Sequence, residues 1–220
     1  ILSWAEENLF SWVDPLERDT SDRDYKWLES IWLRNQFMAN SNRTVGKLFS
    51  LSSNLPKFLE RFPDCKILYI IRDPLSVIPS GLSLVTGVLD KRFGFWSLPI
   101  EKRSHFINRL YHGLLQLLLR FHSDWTSGKI DKSKVMIVPF DRLMDDFENL
   151  MNEILAFTNH SPSEELKKDI LNTGDNQRKF KSEHKYDLEK FGLTALQIQK
   201  DCAPIYKTFI NSSKPEMKEE

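Results

Sequence analysis

The chain has 220 residues, with 31 Lys and Arg against 31 Asp and Glu, so its formal net charge at pH 7 is zero. This length suits one sizeable domain with a buried core, and a 40% apolar content is ordinary for a globular protein. Zero net charge argues against a nucleic-acid-binding surface, although it allows a local cationic pocket. Two cysteines, Cys65 and Cys202, exclude both a disulfide-dense scaffold and a four-cysteine zinc site.

Signals for targeting are weak in this sequence. The longest apolar stretch lies near Leu114–Leu119 and is too short to span a membrane. Asn-x-Ser/Thr patterns begin at Asn42, Asn159 and Asn211, so the compartment stays open between the cytoplasm and the secretory pathway or Golgi. The first residue is Ile rather than Met, which predicts that the sequence is a piece of a longer chain.

The first elements in chain order are one helix and two strands. The spacing of apolar residues predicts a helix over Asp22–Ala39, and the apolar run Val45–Leu51 predicts a strand. The run Lys66–Ile71 is almost continuously apolar, which is typical of a strand buried on both faces of a parallel sheet. Helical patterns between such runs predict β-α-β alternation.

Two helices follow the second of these runs. Asp73-Pro74 is a helix start signal, with Asp73 as N-cap and Pro74 at the first helical position. This signal predicts a helix over Leu75–Val85, which Pro79 should loosen or kink. A wide apolar stripe then predicts a long helix over Ile100–Trp125.

The remaining elements complete a helix-rich α/β chain. The run Val135–Val138 predicts a third strand, and its neighbours Asp141–Phe157, Ser163–Leu171 and Thr194–Phe209 predict helices. The fold class is therefore α/β, with a short parallel sheet flanked by helices. We expect one domain over residues 1–210 and a polar, disordered tail over residues 211–220.

The junction after the second strand is the most informative part of the sequence. Arg72 directly follows a predicted buried strand, and ligands of open α/β sheets bind beyond the carboxyl ends of the strands. A guanidinium group matches a phosphate bidentately, and the Ser80 hydroxyl, two helical turns further on, could reach the same anion. The alternative is that Arg72 only pairs with a carboxylate such as that of Asp73.

This stretch, F-P-D-C-K-I-L-Y-I-I-R-D-P-L-S-V-I-P-S-G-L-S-L, resembles the 3′-phosphate-binding segment of sulfotransferases that use 3′-phosphoadenosine 5′-phosphosulfate (PAPS), in their bacterial-type branch. The resemblance implies that Arg72 and Ser80 hold the 3′-phosphate of PAPS. It also implies a three-layer fold like that of P-loop NTPases. The strand and turn V-M-I-V-P-F-D-R-L resembles the family pattern V-x-R-Y-E-D-L, with Pro139 and Phe140 in place of Arg and Tyr.

A second match lies far along the chain. The segment F-K-S-E-H-K-Y-D-L-E-K-F-G-L-T resembles a C-terminal segment of the same family. Four cations and His184 lie within Arg178–Lys185, a composition that suits an anion contact but also a solvated loop. Beside the Arg72 motif, the resemblance implies that Lys181 and His184 belong to a loop that closes over the nucleotide.

Two parts of a complete PAPS site are missing or altered. The family holds the 5′-phosphosulfate in an R-S-G-T-type loop, and this sequence contains no such loop. The resemblance therefore implies a preceding segment, a partner chain that supplies the loop, or a degenerate relative, of which this chain would be the C-terminal portion. The catalytic base is not assigned, because Leu51 stands where relatives often have Lys, while Asn54 could remain as a polar contact.

Other candidate site residues are ambiguous. Trp96 and Phe93–Phe95 could line an acceptor pocket or pack as a hydrophobic flap. The histidines His105, His112 and His122 share one side of the long helix without an evident further ligand, so no metal is expected.

Two functions from different classes follow from these observations. The first is sulfuryl transfer from PAPS to a hydroxyl or amine of a small molecule, glycan or peptide, without a metal cofactor and without a nucleic-acid partner. The second is a non-catalytic, sulfotransferase-like subunit that acts in interaction or as a scaffold. A third hypothesis, another nucleotide-binding enzyme such as a kinase, is weaker because the sequence contains no Gly-x-x-x-x-Gly-Lys segment.

Overall fold

The computed structural model describes residues 14–179 and 187–211. The helices of these ranges are α1 (Ser21–Ala39), α2 (Leu55–Arg61), α3 (Pro74–Phe93), α4 (Ile100–Thr126), α5 (Phe140–Asp145), α6 (Phe147–Phe157), α7 (Glu164–Lys179) and α8 (Ala195–Asp201). The strands are β1 (Ile67–Ile71) and β2 (Val135–Pro139). The chain divides into two compact units, one of Ile1–Cys65 with Asn108–Ile130 and one of Lys66–Ile107 with Asp131–Glu220. The expectation of one domain over residues 1–210 stays a prediction.

Aromatic side chains form much of the core of the first unit. Phe58 of α2 is 2% exposed, and its ring lies 5.6 Å from that of Tyr25 and 6.1 Å from that of Trp32, edge to face in both cases. Such edge-to-face pairs add to the free energy gained by burying the rings. The predicted helix Asp22–Ala39 is confirmed as α1, from which Tyr25 and Trp32 contact Phe58 of α2.

The predicted strand Val45–Leu51 is wrong. Its first residues have no regular hydrogen-bonded structure, and a short 3₁₀ turn follows over Leu51–Ser53. Val45 is 100% exposed and Phe49 is 76% exposed, so the apolar side chains of this run do not build a sheet core. An apolar run becomes a strand only where a neighbouring strand satisfies its backbone, and within the described ranges the sheet consists of β1 and β2.

A bidentate ion pair in the first unit joins Asp14 to Arg120 of α4. Arg120 donates to both carboxylate oxygens of Asp14 at 2.7 and 2.8 Å, and also to the carbonyl oxygen of Ser53 at 3.3 Å. Both charged side chains are largely shielded from solvent, at 14% and 24% exposed. The hydrogen bond from Arg120 holds the pKa of the Asp14 carboxyl below its ordinary value of 3.8.

We expect this ion pair to make the unit sensitive to acid. Because the pKa of Asp14 is depressed in the folded state, its contribution is complete above about pH 4 and is lost as the pH falls through the folded pKa. Asp14→Asn should therefore lower the free energy of unfolding by about 2 kcal/mol at pH 7, a value between those of exposed and buried pairs. Urea unfolding at pH 7 and at pH 2 checks this, because the difference between the two proteins should be smaller at the lower pH.

The second unit is organised on the parallel pair β1 and β2. Their register runs from Ile67 opposite Val135 to Ile71 opposite Pro139, which confirms a short parallel sheet and the α/β class. The prediction that β1 is buried on both faces is wrong, since Leu68 and Ile70 are 40% and 55% exposed. Side chains two residues apart share a face, so one face of β1 is accessible in the described part of the chain.

Helix α3 begins where the sequence predicts and continues much further. Asp73 caps it by accepting from the backbone N–H of Leu75 at 2.8 Å. The predicted end at Val85 is wrong, because one continuous helix runs to Phe93 with Pro79 inside it. The expected kink at Pro79 stays a prediction. It ends at Gly94, whose φ of 63° lies in the left-handed region that glycine adopts without strain.

The helices after β2 also differ from expectation. Asp146, with φ −136°, divides the predicted helix Asp141–Phe157 into α5 and α6. Helix α7 continues past the predicted end at Leu171 to Lys179, and passes through Gly174. A Cβ atom at Gly174 would overlap the Glu148 carboxylate, so glycine leaves room for this side chain against α7.

The C-terminal part is not the single helix predicted over Thr194–Phe209. Thr194 caps α8 through a bond from the Gln197 backbone N–H to its hydroxyl, at 3.2 Å. A helical turn Ala203–Ile205 then passes into a π-helical turn Tyr206–Ile210. Of the expected tail, residues 212–220 lie outside the described residues. No helix among the described residues has the length and apolar character needed to cross a membrane.

Candidate functional site

Arg72 lies at the carboxyl end of β1, as the sequence predicts. Ile71 and Pro139 are partners in the sheet, so the next residues of the two strands, Arg72 and Phe140, emerge side by side. The Arg72 guanidinium carbon lies 4.2 Å from the centre of the Phe140 ring. This cation–π contact orients the guanidinium group and leaves the N–H groups at its edge able to donate.

The alternative reading, in which Arg72 pairs with Asp73, does not describe this junction. None of the ion pairs between described residues includes Arg72. Asp73 instead accepts from the Leu75 backbone N–H and, at 2.5 Å, from the Tyr206 hydroxyl. The Asp73 carboxylate therefore caps the start of α3, and the half-buried Arg72 guanidinium group is in no ion pair between described residues. Its contact with a phosphate stays a prediction.

Sequence reasoning missed Tyr206 as a member of this junction. It lies in the π-helical turn, 133 residues beyond Asp73, and no local pattern marks such a long-range contact. Burial, together with the Asp73 carboxylate, raises the pKa of the Tyr206 phenol. The hydroxyl thus keeps its proton at neutral pH and donates it to Asp73.

Removing this hydroxyl should loosen the start of α3. A hydrogen bond to a charged acceptor contributes about 1.5–3 kcal/mol when shielded, and the half-exposed Tyr206 reduces that to about 1–2 kcal/mol. Tyr206→Phe should therefore destabilise the fold by about that amount in chemical denaturation. A variant as stable as the wild type would contradict the assigned role of Tyr206.

Ser80 lies on α3, about 9 Å along the helix from its first residue. Ser83 is three residues further and therefore shares its face. Further along α3 lies a cleft of about 190 Å³, which is lined by Ser83, Thr86, Gly87, Trp96, Asp187, Lys190 and Phe191. The described end of the second sequence motif thus reaches the helix that carries Ser80.

The remaining residues predicted near the nucleotide are Lys181, His184 and the neighbouring cation Arg178. Lys181 and His184 lie outside the described residues, so their contact with a nucleotide stays a prediction. Arg178, placed by the sequence in the same cationic loop, belongs instead to α7. Its guanidinium group pairs with Glu148 at 2.8 Å and with Asp175 at 2.6 Å, so its charge is already neutralised.

The aromatic residues at the end of α3 and in the loop after it differ in their exposure. Phe95 is fully buried, and its ring lies 5.3 Å from that of Phe106, as expected for a packed flap. Trp96 is half-buried and lines the cleft, while Phe93 is exposed. Trp96 and Phe93 are therefore accessible, whereas Phe95 is not, and an acceptor pocket lined by these residues stays a prediction.

The first unit contains a separate cleft of about 380 Å³ beside the turn that carries Leu51 and Asn54. The Asn54 backbone carbonyl there accepts from the Tyr25 hydroxyl at 3.2 Å. A search of the described residues for three or more convergent His, Cys, Asp or Glu side chains finds no metal-binding group. Partial burial lowers the pKa of His122, which favours its neutral form.

Comparison with known families now adds to this geometry. A family model described as the sulfotransferase family matches residues 9–164, well over half of the chain, and the match includes β1, Arg72, Ser80 and β2. Comparisons with curated proteins and with solved structures give no significant match. Arg72 lies directly beyond β1, and the matched range includes both. Because the family model matches well over half of the chain, the chain belongs to the sulfotransferase family.

Proposed function

We propose that this protein is a PAPS-dependent sulfotransferase that acts on a hydroxyl or amine acceptor. PAPS would supply the sulfuryl group, whose bond to the 5′-phosphate breaks as the acceptor atom bonds to sulfur and releases its proton to a base. The products are the sulfated acceptor and 3′,5′-phosphoadenosine. A fold like that of P-loop NTPases belongs to the same proposal.

The observation that carries the proposal is the position of Arg72. It follows β1 directly, has no ion-pair partner among the described residues and stacks on Phe140. A shielded guanidinium group of this kind favours a dianionic phosphate. In our proposal Arg72 and Ser80 bind the 3′-phosphate, and Lys181 and His184 close over the nucleotide.

The residues at the start of α3 suit the 3′-phosphate of PAPS better than its 5′-phosphosulfate. Asp73 and Pro74 occupy the N-terminus of α3, so the first turn of this helix has neither the free N–H groups nor the positive charge that would cradle a 5′-phosphosulfate. We propose that another segment or a partner chain supplies that loop. The groups assigned here bind and orient the 3′-phosphate, and the base remains without an assigned residue.

A second candidate is a non-catalytic, sulfotransferase-like subunit. It is favoured by Leu51, which stands where relatives often have Lys, and by Pro139 and Phe140, which replace the Arg and Tyr of the family pattern. Phe140 contributes a ring against Arg72 rather than a hydroxyl. This candidate predicts a folded protein without sulfuryl transfer.

A nucleotide panel tests the proposal. Thermal unfolding is followed with 3′,5′-phosphoadenosine, 5′-AMP and ATP at equal concentrations. Stabilisation that requires the 3′-phosphate supports the PAPS site, because a ligand that binds only the folded state raises the unfolding temperature. Equal shifts with all three nucleotides, or no shift with any, would contradict it.

Sulfuryl transfer itself needs a second measurement. PAPS carrying radioactive sulfur is incubated with the protein and with hydroxyl and amine acceptors of different classes. Binding of 3′,5′-phosphoadenosine together with transfer identifies the enzyme. Binding without transfer to any acceptor, in the longest natural form of the chain, identifies the non-catalytic subunit instead.

A further inference from the structure

The cleft of the first unit has the size of a small-molecule site. Its volume is about 380 Å³, and ligand pockets typically measure about 300–1,000 Å³. The described residues that line it belong to α1, to the residues just before α1 and to the segment 48–54. All of them lie within one compact unit, so the cleft is a single local structure.

One side of this cleft is apolar and includes an accessible aromatic ring. Trp27 of α1 lines the cleft and is 67% exposed, so most of its flat surface is still free to be covered. The half-buried side chains of Leu28, Leu48 and Leu51 also line the cleft. An indole ring combines a large apolar face with one N–H donor, and such rings contribute strongly to ligand binding.

Two polar side chains of the cleft occupy cap positions without capping. Ser50 precedes the 3₁₀ turn Leu51–Ser53, and Asn54 precedes α2, where serine and asparagine usually accept from the next backbone N–H groups. Neither side chain makes such a bond. The bonds of Ser50 and Asn54 to other described residues all use their backbone atoms. A hydroxyl and an amide that can each donate and accept are therefore left for a ligand.

The charges at the cleft favour a neutral ligand. Among the described residues that line it there is no lysine and no arginine, so an anion finds no counter-charge. Its one carboxylate, that of Asp24, already accepts from Arg23 at 2.9 Å and from the Thr20 hydroxyl at 2.6 Å. A cationic ligand would have to compete with Arg23 for this group.

We infer that this cleft is a binding site for a neutral saccharide. The C–H face of a sugar ring covers Trp27, and the sugar hydroxyls donate to and accept from Ser50 and Asn54. A simple phenol would also cover the ring, but its single hydroxyl would leave one of these two polar groups unused. The inference concerns binding alone and does not rest on the proposed function.

An array of neutral, sulfated and amine-bearing oligosaccharides finds the preferred ligand, and calorimetric titration with that ligand compares the variants. Trp27→Ala removes an exposed ring and leaves the fold intact, and we expect a roughly tenfold loss of affinity. Phe37→Ala is the matched control, because Phe37 is 85% exposed on the same helix and does not line the cleft. Trp27→Phe keeps a ring and should recover most of the affinity.

A second variant tests the polar side of the cleft. Asn54→Ala removes the amide but keeps the backbone carbonyl that accepts from Tyr25, and we expect a loss of about fivefold. Three results would each overturn the inference: no saccharide bound by the wild type, equal affinities for Trp27→Ala and Phe37→Ala, or a preference for charged over neutral sugars. Titration with 3′,5′-phosphoadenosine tests the proposed function separately, so the two can fail independently.

Discussion

Replacing Arg72 with alanine should weaken the binding of 3′,5′-phosphoadenosine between about 30-fold and several thousand-fold. Removing one partner of a desolvated charge pair costs about 2–5 kcal/mol, and each 1.4 kcal/mol is a factor of ten. The effect is expected to be large because Arg72 is half-buried and held in place by Phe140. Calorimetry or a fluorescent-nucleotide competition assay measures the loss directly.

Two further variants make this result specific. Arg92→Ala removes the same charge from an exposed position near the other end of α3, and we expect nucleotide affinity close to that of the wild type. Arg72→Lys retains the charge but loses the planar fork, so its affinity should fall between those of the wild type and Arg72→Ala. Equal affinities for Arg72→Ala and the wild type would remove Arg72 from the nucleotide site.

Truncation of Leu82 should be the most destabilising change within α3. This side chain is 0% exposed, and Leu→Ala at such a site costs about 2–5 kcal/mol through lost burial and the cavity left behind. A domain of marginal stability would lose much of its free energy of unfolding. Denaturant unfolding, followed by far-ultraviolet circular dichroism, gives the change.

Leu84 is the matched control for Leu82. It lies on the same helix two residues away, but it is 69% exposed. Leu84→Ala should change the free energy of unfolding by no more than about 0.5 kcal/mol, because little surface is buried there. Similar losses for the two leucine variants would mean that α3 is not packed as described.

Local signals predicted the parts of the fold that depend on local chemistry. The capping geometry of Asp73 and Pro74 and the apolar runs of β1 and β2 are encoded within a few neighbouring residues. The run Val45–Leu51 has similar composition but no partner strand among the described residues, and a strand needs one. Composition alone therefore predicts a candidate strand, whereas pairing is decided by the rest of the chain.

Helix lengths were less predictable for a related reason. The sequence of α3 contains Pro79 and Gly87, which disfavour a helix locally, yet Ile78 and Leu82 are fully buried along its inner face. Tertiary packing outweighs these local costs. The same applies to α7, where Gly174 reads as a loop signal and serves as a contact with Glu148.

The sequence predicted the site residue that lies at a strand end, Arg72. It did not predict contacts between segments that are distant in sequence, such as that of Tyr206. Arg72 follows from a strand followed by a helix start signal. The contacts of Tyr206 with Asp73 and of Lys190 with Trp96 join residues that are far apart in sequence. No spacing rule reaches across such separations.

Because α3 is continuous, the distance and the angle between Ser80 and Ser83 depend on the number of residues between them and not on the conformation of a loop. Ser80 and Ser83 belong to one rigid rod, in which each residue adds about 1.5 Å of rise and about 100° of rotation. Two residues inserted between them would turn Ser83 and Gly87 away from the face that carries Ser80. An insertion of four residues, about one full turn, would nearly restore the direction while moving the cleft about 6 Å further away. Tolerance of length changes should therefore follow the helical period here.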